Sequence, residues 1–282
     1  MPLTGFMGAH PEGHRAEAAI IGAPFDGTAS YRAGARFGPD AIREASFSLE
    51  TYSAFLDRDL TGRDYVDWGN LEIAPGRVEI MLELVANQVQ RALALNLRPI
   101  ILGGEHTITL GVIRVLAKRY PGLHILQLDA HADFREEYLG EKFSHATVMR
   151  RVAEIIGADR LHRLGIRAGT KEELTEAGIE LPLSGEAPTR DIEKVVLGLP
   201  EEAPLYITLD LDVFDPALIP GVGNPEPWGI TWREFIQLVR AVSFHNIVGV
   251  DINELAPQYD PSGVSSVVAA SAVRDLMLTM MP

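Results

Sequence analysis

The sequence of 282 residues contains no cysteine. Without thiols the protein can form neither disulfides nor thiolate nucleophiles, and it cannot build zinc sites with cysteine ligands. This absence fits a reducing compartment, and we expect the protein in the cytoplasm. No basic segment followed by an apolar core begins the chain, so the sequence shows no signal peptide.

An excess of positive charge is also missing. Lys and Arg number 25 against 39 Asp and Glu, which gives a formal net charge of −14. An acidic balance of this size argues against a nucleic-acid partner. It can steer a small cationic substrate toward the protein, although solubility is the simpler explanation.

No apolar run is long and uninterrupted enough for a membrane span. The strongest one, residues 264–281, is broken by Arg274 and Asp275. The run therefore predicts a packed terminal helix and no membrane partner. Its predicted apolar face contains Val264, Val267, Val268 and Leu276.

Apolar strand-like runs alternate with helical patterns along almost the whole chain. The predicted strands are 18–23, 99–102, 123–128, 161–166, 205–209 and 247–250, and the predicted helices are 78–95, 108–119, 146–156, 171–177 and 232–242. Repeated βα units with strands rich in Val, Ile and Leu indicate a parallel sheet covered on both faces. We therefore predict an α/β fold, a single three-layer α/β/α domain over residues 1–282 with a mostly parallel central sheet. Residues 1–16 are expected to form a mobile N-terminal arm, and residues 180–190 a loop inside the domain.

The most informative motif is Asp129-Ala-His131-Ala-Asp133, which follows the apolar run 124–128. Residues at alternate positions of a strand point to the same face, so continued strand geometry would bring two carboxylates and an imidazole together. Such groups repel one another unless a cation lies between them. The motif alone is also compatible with a surface loop.

Three further apolar runs end in groups that can bind metal. The run from Pro99 ends at His106, the run from Pro204 ends at Asp210 and Asp212, and the run from His245 ends at Glu254. In open α/β sheets, ligands bind at the carboxyl ends of the strands. Four such endings in one chain are poorly explained by chance and predict one shared site.

Together these motifs resemble those of the ureohydrolases, the family of arginase and agmatinase. The resemblance rests on Gly103-Gly-Glu-His106, Asp129-Ala-His-Ala-Asp133, Ser144-His145, Leu209-Asp-Leu-Asp-Val-Phe-Asp215-Pro216 and Gly249-Val-Asp-Ile-Asn-Glu254-Leu-Ala-Pro257. It extends from about residue 20 to the C terminus, with the motifs in the order and spacing of the family. The agmatinase subgroup is the most similar, and the resemblance implies an arginase-like fold.

Four aspartates and two histidines form an oxygen-rich ligand set that favours Mn²⁺ over Zn²⁺. Six ligands suit a pair of bridged ions better than one tetrahedral zinc. The resemblance implies two Mn²⁺ per subunit, one held by His106, Asp129, Asp133 and Asp210 and the other by Asp129, His131, Asp210 and Asp212. Asp129 and Asp210 would then be shared between the ions.

The resemblance also implies the catalytic and substrate-binding residues. A hydroxide that bridges the two ions attacks the guanidino carbon, and Asp133 accepts a hydrogen bond from that hydroxide. His145 resembles the proton-shuttling histidine of the family, and Glu254 resembles the carboxylate that pairs with the guanidinium. Solvated or helix-terminal positions are the alternative interpretation of His145 and Glu254.

The members of this family differ in the group that their substrate carries at the end opposite the guanidino group. Arginases typically bind the α-carboxylate and α-amine with a Ser and an Asn upstream of the shuttle histidine and with an Arg-Asp-x-Asp run. Segment 136–145 has no Asn, and Arg167-Ala-Gly-Thr170 lacks both acids, which favours agmatine. The implied reaction gives putrescine and urea, a step of polyamine biosynthesis. The loop 221–228, which faces the substrate tail in the family, departs from the usual Gly-Thr-Gly-Thr-Pro, so a longer tail such as that of aminopropylagmatine stays open.

Other activities also remain open. Guanidinobutyrate, guanidinopropionate, formimidoylglutamate and arginine are alternative substrates, and a carboxylate tail would need a cation such as Arg32 or Arg135. The Asp210-Leu-Asp212 pair also mimics a phosphatase motif, which usually lies near the N terminus. A metal-stabilised scaffold without activity is a further alternative. Family members are usually homo-oligomers, and we expect a trimer or a hexamer.

Overall fold

The computed structural model describes residues 5–9, 15–180 and 192–281. Its strands are β1 (Ala18–Ala23), β2 (Tyr52–Ser53), β3 (Arg58–Asp59), β4 (Tyr65–Asn70), β5 (Arg98–Gly103), β6 (His124–Leu128), β7 (Leu161–Leu164), β8 (Pro204–Asp210) and β9 (Asn246–Asn253). Seven of them form one sheet in the spatial order β4-β1-β5-β9-β8-β6-β7, while β2 and β3 form a small separate hairpin. Every neighbouring pair in the large sheet is parallel.

Helices cover both faces of this sheet. They are α1 (Gly38–Ser46), α2 (Val78–Ala94), α3 (Thr109–Arg119), α4 (Val148–Ile156), α5 (Lys171–Glu176), α6 (Ile192–Leu197), α7 (Trp232–Val242) and α8 (Val264–Met280). Successive strand residues enter different cores: Ile100 and Leu102 pack with α1, α7 and α8, whereas Ile101 packs with α2, α3 and α4. The three-layer α/β/α fold with a parallel sheet is therefore confirmed.

Several helix starts follow from local sequence. Thr231 and Glu234 form a capping box at the start of α7, and Thr170 and Glu173 do the same for α5. Each pair satisfies two backbone N–H groups that have no partner inside the helix. Pro39 lies in the first turn of α1, where its missing N–H costs nothing.

The terminal segment is the helix α8, and of its predicted apolar face Leu276 is buried and Val268 packs against the core, whereas Val264 and Val267 were predicted wrongly. Val264 and Val267 are 48% and 38% exposed, whereas Ala270, Val273 and Met277 are fully buried. The C-terminal half of α8 is buried nearly all round because it packs against the sheet and against α1 and α7. Across the described ranges, no helix is both long enough and apolar enough to cross a membrane.

The N-terminal residues that the structure describes are held to the domain. Phe6 is fully buried, and its backbone N–H donates to Oδ2 of Asp67 over 2.8 Å. Residues 5–9 are thus anchored and do not form a mobile arm. The rest of the expected arm lies mainly in residues 1–4 and 10–14, outside the described residues, as does nearly all of the expected loop at 180–190.

The buried pair Arg43–Asp67 connects this N-terminal turn to α1 and β4. Arg43 donates from Nε and Nη2 to the two carboxylate oxygens over 2.8 and 2.9 Å. Asp67→Ala removes the buried carboxylate that pairs with Nε and Nη2 of Arg43, and we expect it to lower the free energy of unfolding by about 3–5 kcal/mol. Urea denaturation measures this change. The exposed Asp64→Ala serves as control and should stay within about 0.5 kcal/mol of the parent, and equal stabilities of both variants would contradict the role of the pair.

Candidate metal centre and active site

The predicted ligands come from the ends of neighbouring central strands. β5, β9, β8 and β6 are adjacent in the sheet, and their carboxyl ends precede His106, Glu254, Asp212 and Asp129. Because the strands are parallel, these ends meet at one edge of the sheet. The structure brings the predicted ligands together at this edge, where they form a possible metal-binding cluster.

Two glycines let β5 turn sharply into the short 3₁₀ helix that carries His106. A Cβ on Gly104 would lie 2.0 Å from the carbonyl oxygen of Phe25, and one on Gly103 would lie 1.8 Å from Oδ1 of Asn253. Both distances are far below van der Waals contact, so larger residues would push this turn away from β9 and from residue 25. The glycines thereby hold His106 at the sheet edge.

Three carboxylates surround the imidazole of His106. Its Nδ1 lies 3.1 Å from Oδ2 of Asp129, 3.1 Å from Oδ2 of Asp133 and 3.4 Å from Oδ2 of Asp210. All four side chains are buried. His106, Asp129 and Asp210 lie close enough together to hold one metal ion.

A second group shares Asp129 with the first. Nδ1 of His131 lies 2.9 Å from Oδ2 of Asp212 and 3.8 Å from Oδ1 of Asp129. These three residues also lie close enough together to hold a metal ion. Asp129 thus directs Oδ2 toward His106 and Oδ1 toward His131, which is the arrangement that a bridging carboxylate requires.

Asp210 lies in only one of the two ligand groups, whereas the resemblance implies that it is shared between them. Its Oδ2 faces His106, but its Oδ1 accepts a hydrogen bond from the backbone N–H of Asp212 over 2.9 Å. By the distances between ligand atoms, Asp210 joins the first group of potential ligands and not the second. That Asp210 is shared by both ions stays a prediction.

The local backbone differs from the continued strand that the sequence suggested. β6 ends at Leu128, and Asp133 has a left-handed backbone with φ of 51°. Glu254 is also left-handed, with φ of 69°. Such conformations are unfavourable for residues with a side chain and often occur at functional sites. The side chains converge through turns after the strands.

The surroundings of His106 support a metal-binding tautomer. Its Nε2 lies 2.8 Å from Oγ1 of Thr208, whose hydroxyl also interacts with the buried Asp251. With Thr208 donating to that carboxylate, Nε2–H donates to Thr208 and Nδ1 keeps its lone pair. Nδ1 is buried and has no hydrogen-bond partner in the described part of the chain. Metal-bound histidines characteristically have their other ring nitrogen held in this way.

The crowded acids need compensating positive charge. Burial, and then the charge of Asp129, raises the pKa of Asp133 to about 7. Burial and the charges of Asp212 and Asp129 raise the pKa of Asp210 well above its ordinary value. Burial opposes ionisation of Asp212 as well, but His131 outweighs it and the pKa falls to about 2. A cluster of this kind favours divalent cations, which stabilise all four carboxylates in ionised form.

His145 lies beside this cluster on a short 3₁₀ helix that begins after Ser144. The hydroxyl of Thr28 donates to Oε1 of Glu105 over 2.6 Å, so it can only accept from Nδ1 of His145, which is 3.2 Å away. Nε2 therefore carries the free lone pair, near Oγ of Ser30 at 3.5 Å. Burial, and then the neighbouring imidazoles, lower the pKa of His145 to about 4, which makes it a neutral proton acceptor at pH 7.

Glu254 lies on the other side of His106. Its Oε1 accepts a hydrogen bond from the backbone N–H of His106 over 2.9 Å. Burial, followed by the charge of Glu105, raises the pKa of Glu254 well above its ordinary value. A cationic group placed against this carboxylate would favour its ionised form.

A cavity of about 340 Å³ joins these residues to the surface. This volume suits a small ligand. The predicted site residues that line it are His131, Asp133, His145, Asp210, Asp212 and Glu254. His106 and Asp129 are fully buried beneath the lining.

The sequence analysis missed several residues of this cavity. Glu173, Tyr138 and Glu226 line it, and the Thr28–Glu105 pair supports His145 from behind. Tyr138 packs its ring edge-on against His145 with the centroids 5.5 Å apart. Thr28, Tyr138, Glu173 and Glu226 lie outside the strand-end motifs, whereas Glu105 belongs to Gly103-Gly-Glu-His106 but was given no role. Glu226 lies in the loop 221–228, which departs from the family pattern.

The two arginines considered for a carboxylate tail are engaged elsewhere. Arg135 lines the cavity, but its Nε lies 3.1 Å from Oε2 of Glu173. Arg32 is stacked 4.0 Å over the ring of Tyr259 and donates to the carbonyl oxygen of Pro220. Neither guanidinium is therefore arranged as a dedicated carboxylate receptor.

Known proteins match nearly the whole chain. An agmatinase from Bacillus anthracis is 40% identical over 278 residues, which cover 97% of this chain and 95% of that protein. A guanidinobutyrase from Pseudomonas aeruginosa is 30% identical, with 94% of this chain and 86% of that protein covered. The solved structure of the agmatine ureohydrolase of Thermoplasma volcanium is 33% identical, with a TM-score of 0.83 over 94% of this chain and 90% of that one. The sequence model of the arginase family matches residues 16–279, and the chain belongs to this family.

Proposed function

We propose that the protein is a dimanganese amidinohydrolase that cleaves agmatine to putrescine and urea, a step of polyamine biosynthesis. The observation that carries the proposal is the pair of ligand groups that share Asp129 at the base of a cavity. The same cavity presents Glu254 for a cation and His145 for proton transfer. Agmatinases among the relatives support the choice of substrate.

The donor set fits two hard divalent cations. His106, Asp129, Asp133 and Asp210 would hold one, and Asp129, His131, Asp210 and Asp212 would hold the other. Carboxylate oxygens with some imidazole and no sulfur favour Mn²⁺. When bound, the pair of ions supplies positive charge and lowers the pKa of a water toward neutrality.

Glu254 is placed to bind the guanidinium. Its carboxylate is buried, and its Oε1 is fixed by the backbone of His106, so the group is held rigidly beside the proposed ligands. A planar guanidinium donates paired hydrogen bonds to a carboxylate. This interaction orients the guanidino carbon toward the metal centre.

His145 is placed to move a proton. The oxygen of the attacking water bonds to the guanidino carbon, and the bond from that carbon to the tail nitrogen breaks. Both water protons end on the tail nitrogen, which leaves as an ammonium, while the rest becomes neutral urea. The free Nε2 of neutral His145 can accept one of these protons and deliver it to the departing nitrogen.

The lining of the cavity favours a cationic tail over an anionic one. Arg135, a cationic lining residue, is paired with Glu173, whereas Glu226 adds a further carboxylate. A carboxylate tail would have to displace the Arg135–Glu173 pair. Agmatine therefore fits this cavity better than guanidinobutyrate, the compound in the name of the guanidinobutyrase from Pseudomonas aeruginosa.

A panel of guanidino compounds tests the proposal. Purified protein supplied with Mn²⁺ is assayed for urea release from agmatine, aminopropylagmatine, 4-guanidinobutyrate, 3-guanidinopropionate and arginine, and for release of formamide from formimidoylglutamate. We expect kcat/KM for agmatine to exceed that for each anionic or zwitterionic compound by at least about tenfold, which corresponds to about 1.4 kcal/mol. A higher kcat/KM for any of those compounds would replace agmatine as the substrate.

Two further expectations belong to this proposal. We expect a homo-oligomer, either a trimer or a hexamer, and a cytoplasmic location. Sedimentation equilibrium of the purified protein measures the first, and fractionation of the source cells measures the second. A monomer at micromolar concentration would contradict the expected assembly.

A further inference from the structure

Three charged residues line the cavity in addition to the proposed ligands and Glu254. Arg135 and Glu173 form an ion pair, and Glu173 also accepts a hydrogen bond from the backbone N–H of Phe134 over 3.0 Å. The third residue, Glu226, has no Lys or Arg within ion-pair distance in the ranges that the structure describes. Its Oε1 lies 3.9 Å from Nε2 of His131, and its side chain is 40% exposed. Glu226 therefore presents a carboxylate to the cavity that can take a cationic partner.

The backbone holds Glu226 firmly in place. Arg167 donates from Nη2 to the carbonyl oxygen of Glu226 over 2.9 Å and from Nε to that of Pro227 over 2.9 Å. On the next residue, the N–H of Trp228 donates to Oδ2 of Asp215 over 2.9 Å. Prolines at 225 and 227 restrict the chain on both sides of Glu226. A carboxylate on such a rigid segment binds a partner with little loss of conformational entropy.

The same loop also approaches the guanidinium-binding carboxylate. A Cβ on Gly223 would lie 3.1 Å from Oε2 of Glu254, so the loop passes directly beside that side chain. Glu226 lies three residues after Gly223 in the sequence. Because the chain spans at most about 3.6 Å per residue, the Cα atoms of Gly223 and Glu226 are no more than about 11 Å apart. Agmatine carries a guanidinium and an ammonium that are separated by four methylene groups. Because both carboxylates line the same cavity, the two cations of one agmatine can face Glu254 and Glu226 at once.

We propose that Glu226 binds the terminal ammonium of the substrate and thereby selects guanidines with an amine tail. This proposal rests on the proposed function, because it requires the guanidinium to lie at Glu254. A competing role for Glu226 is to orient His131 through its Nε2, as outer partners of metal-bound histidines do. The 3.9 Å separation is longer than a hydrogen bond, which favours the substrate as the partner.

A pair of substrates separates the two roles. Pentylguanidine has the shape of agmatine but carries a methyl group in place of the ammonium. In Glu226→Gln we expect kcat/KM for agmatine to fall by about tenfold, mainly through a higher KM, because the ammonium loses its ionic partner. The value for pentylguanidine should change by less than about twofold, and Mn²⁺ content should stay that of the parent. Glu172→Gln serves as the control, because it removes an exposed acid next to Glu173 that does not line the cavity. It should leave kcat/KM unchanged for both substrates.

A charge reversal gives a second, positive readout. In Glu226→Arg we expect the ratio of kcat/KM for 4-guanidinobutyrate to that for agmatine to rise by at least about tenfold, because the new cation attracts the anionic tail and repels the ammonium. Equal losses on agmatine and pentylguanidine in Glu226→Gln, together with lower Mn²⁺ content, would overturn the proposal in favour of the His131 role. The proposal would also be overturned if Glu226→Gln left the agmatine-to-pentylguanidine ratio of kcat/KM unchanged and Glu226→Arg left the 4-guanidinobutyrate-to-agmatine ratio unchanged. That result would leave the proposed function intact. Failure of the parent enzyme to hydrolyse agmatine would overturn both.

Discussion

Asp129→Asn is expected to reduce urea formation from agmatine by more than about 10³-fold. The residue faces both proposed metal positions, with Oδ2 toward His106 and Oδ1 toward His131. An amide has one oxygen in place of two and no charge, so the change weakens both positions at once. Even the loss of an outer partner of a metal ligand costs about 10- to 100-fold, and loss of a shared ligand should cost more.

Metal analysis of the same preparation gives the matched comparison. Asp212→Asn removes a ligand that faces His131 alone, and we expect it to empty mainly one position. Asp129→Asn should therefore retain less Mn²⁺ per chain than Asp212→Asn when both are dialysed against the same buffer. Equal metal content in the two variants would contradict the bridging role of Asp129.

His145→Asn is expected to keep both metal ions and to reduce turnover by about 10²–10⁴-fold, the usual loss for an acid–base catalyst. The residue lies outside the proposed ligand set, and its Nδ1 is held by Thr28, which leaves Nε2 for the substrate. The change should therefore affect kcat far more than metal binding. Imidazole added to the buffer is expected to restore part of the rate.

The control for this variant is a histidine outside the cavity. His162 stacks on His124 with the ring centroids 5.2 Å apart. His162→Asn should leave turnover within about twofold of the parent, because His162 is not part of the cavity lining or of the proposed ligand set. If His145→Asn also turned over normally with its metals in place, the histidine would have no part in proton transfer.

The order of the strands and helices was largely predictable because each central strand is a mostly apolar run that is buried on both faces. The edge strand β4 gave no such signal: its sequence Tyr-Val-Asp-Trp-Gly-Asn contains polar residues and a glycine. It is held by pairing with β1 and by the Arg43–Asp67 contact, both of which join distant parts of the chain. Local sequence patterns carry no information about such contacts.

The convergence of the proposed metal ligands was predictable for a related reason, since they closely follow strands whose ends meet at one edge. The conformation of this edge was not predictable, because the left-handed backbone of Asp133 depends on what packs around it. The pairing of Arg135 with Glu173 and the approach of Glu226 to His131 likewise depend on loops from different parts of the sequence. Short motifs thus identify the proposed metal ligands, whereas the proposed selection among guanidino substrates depends on tertiary contacts.

Titration of metal-free protein with Mn²⁺ tests the central claim most directly. Urea and putrescine released from agmatine are measured at each addition, and bound metal is measured by elemental analysis. The account predicts no hydrolysis without metal, a rise in rate that ends at two Mn²⁺ per chain, and equal amounts of the two products. Full hydrolysis of agmatine by protein that elemental analysis shows to be free of metal would contradict the account.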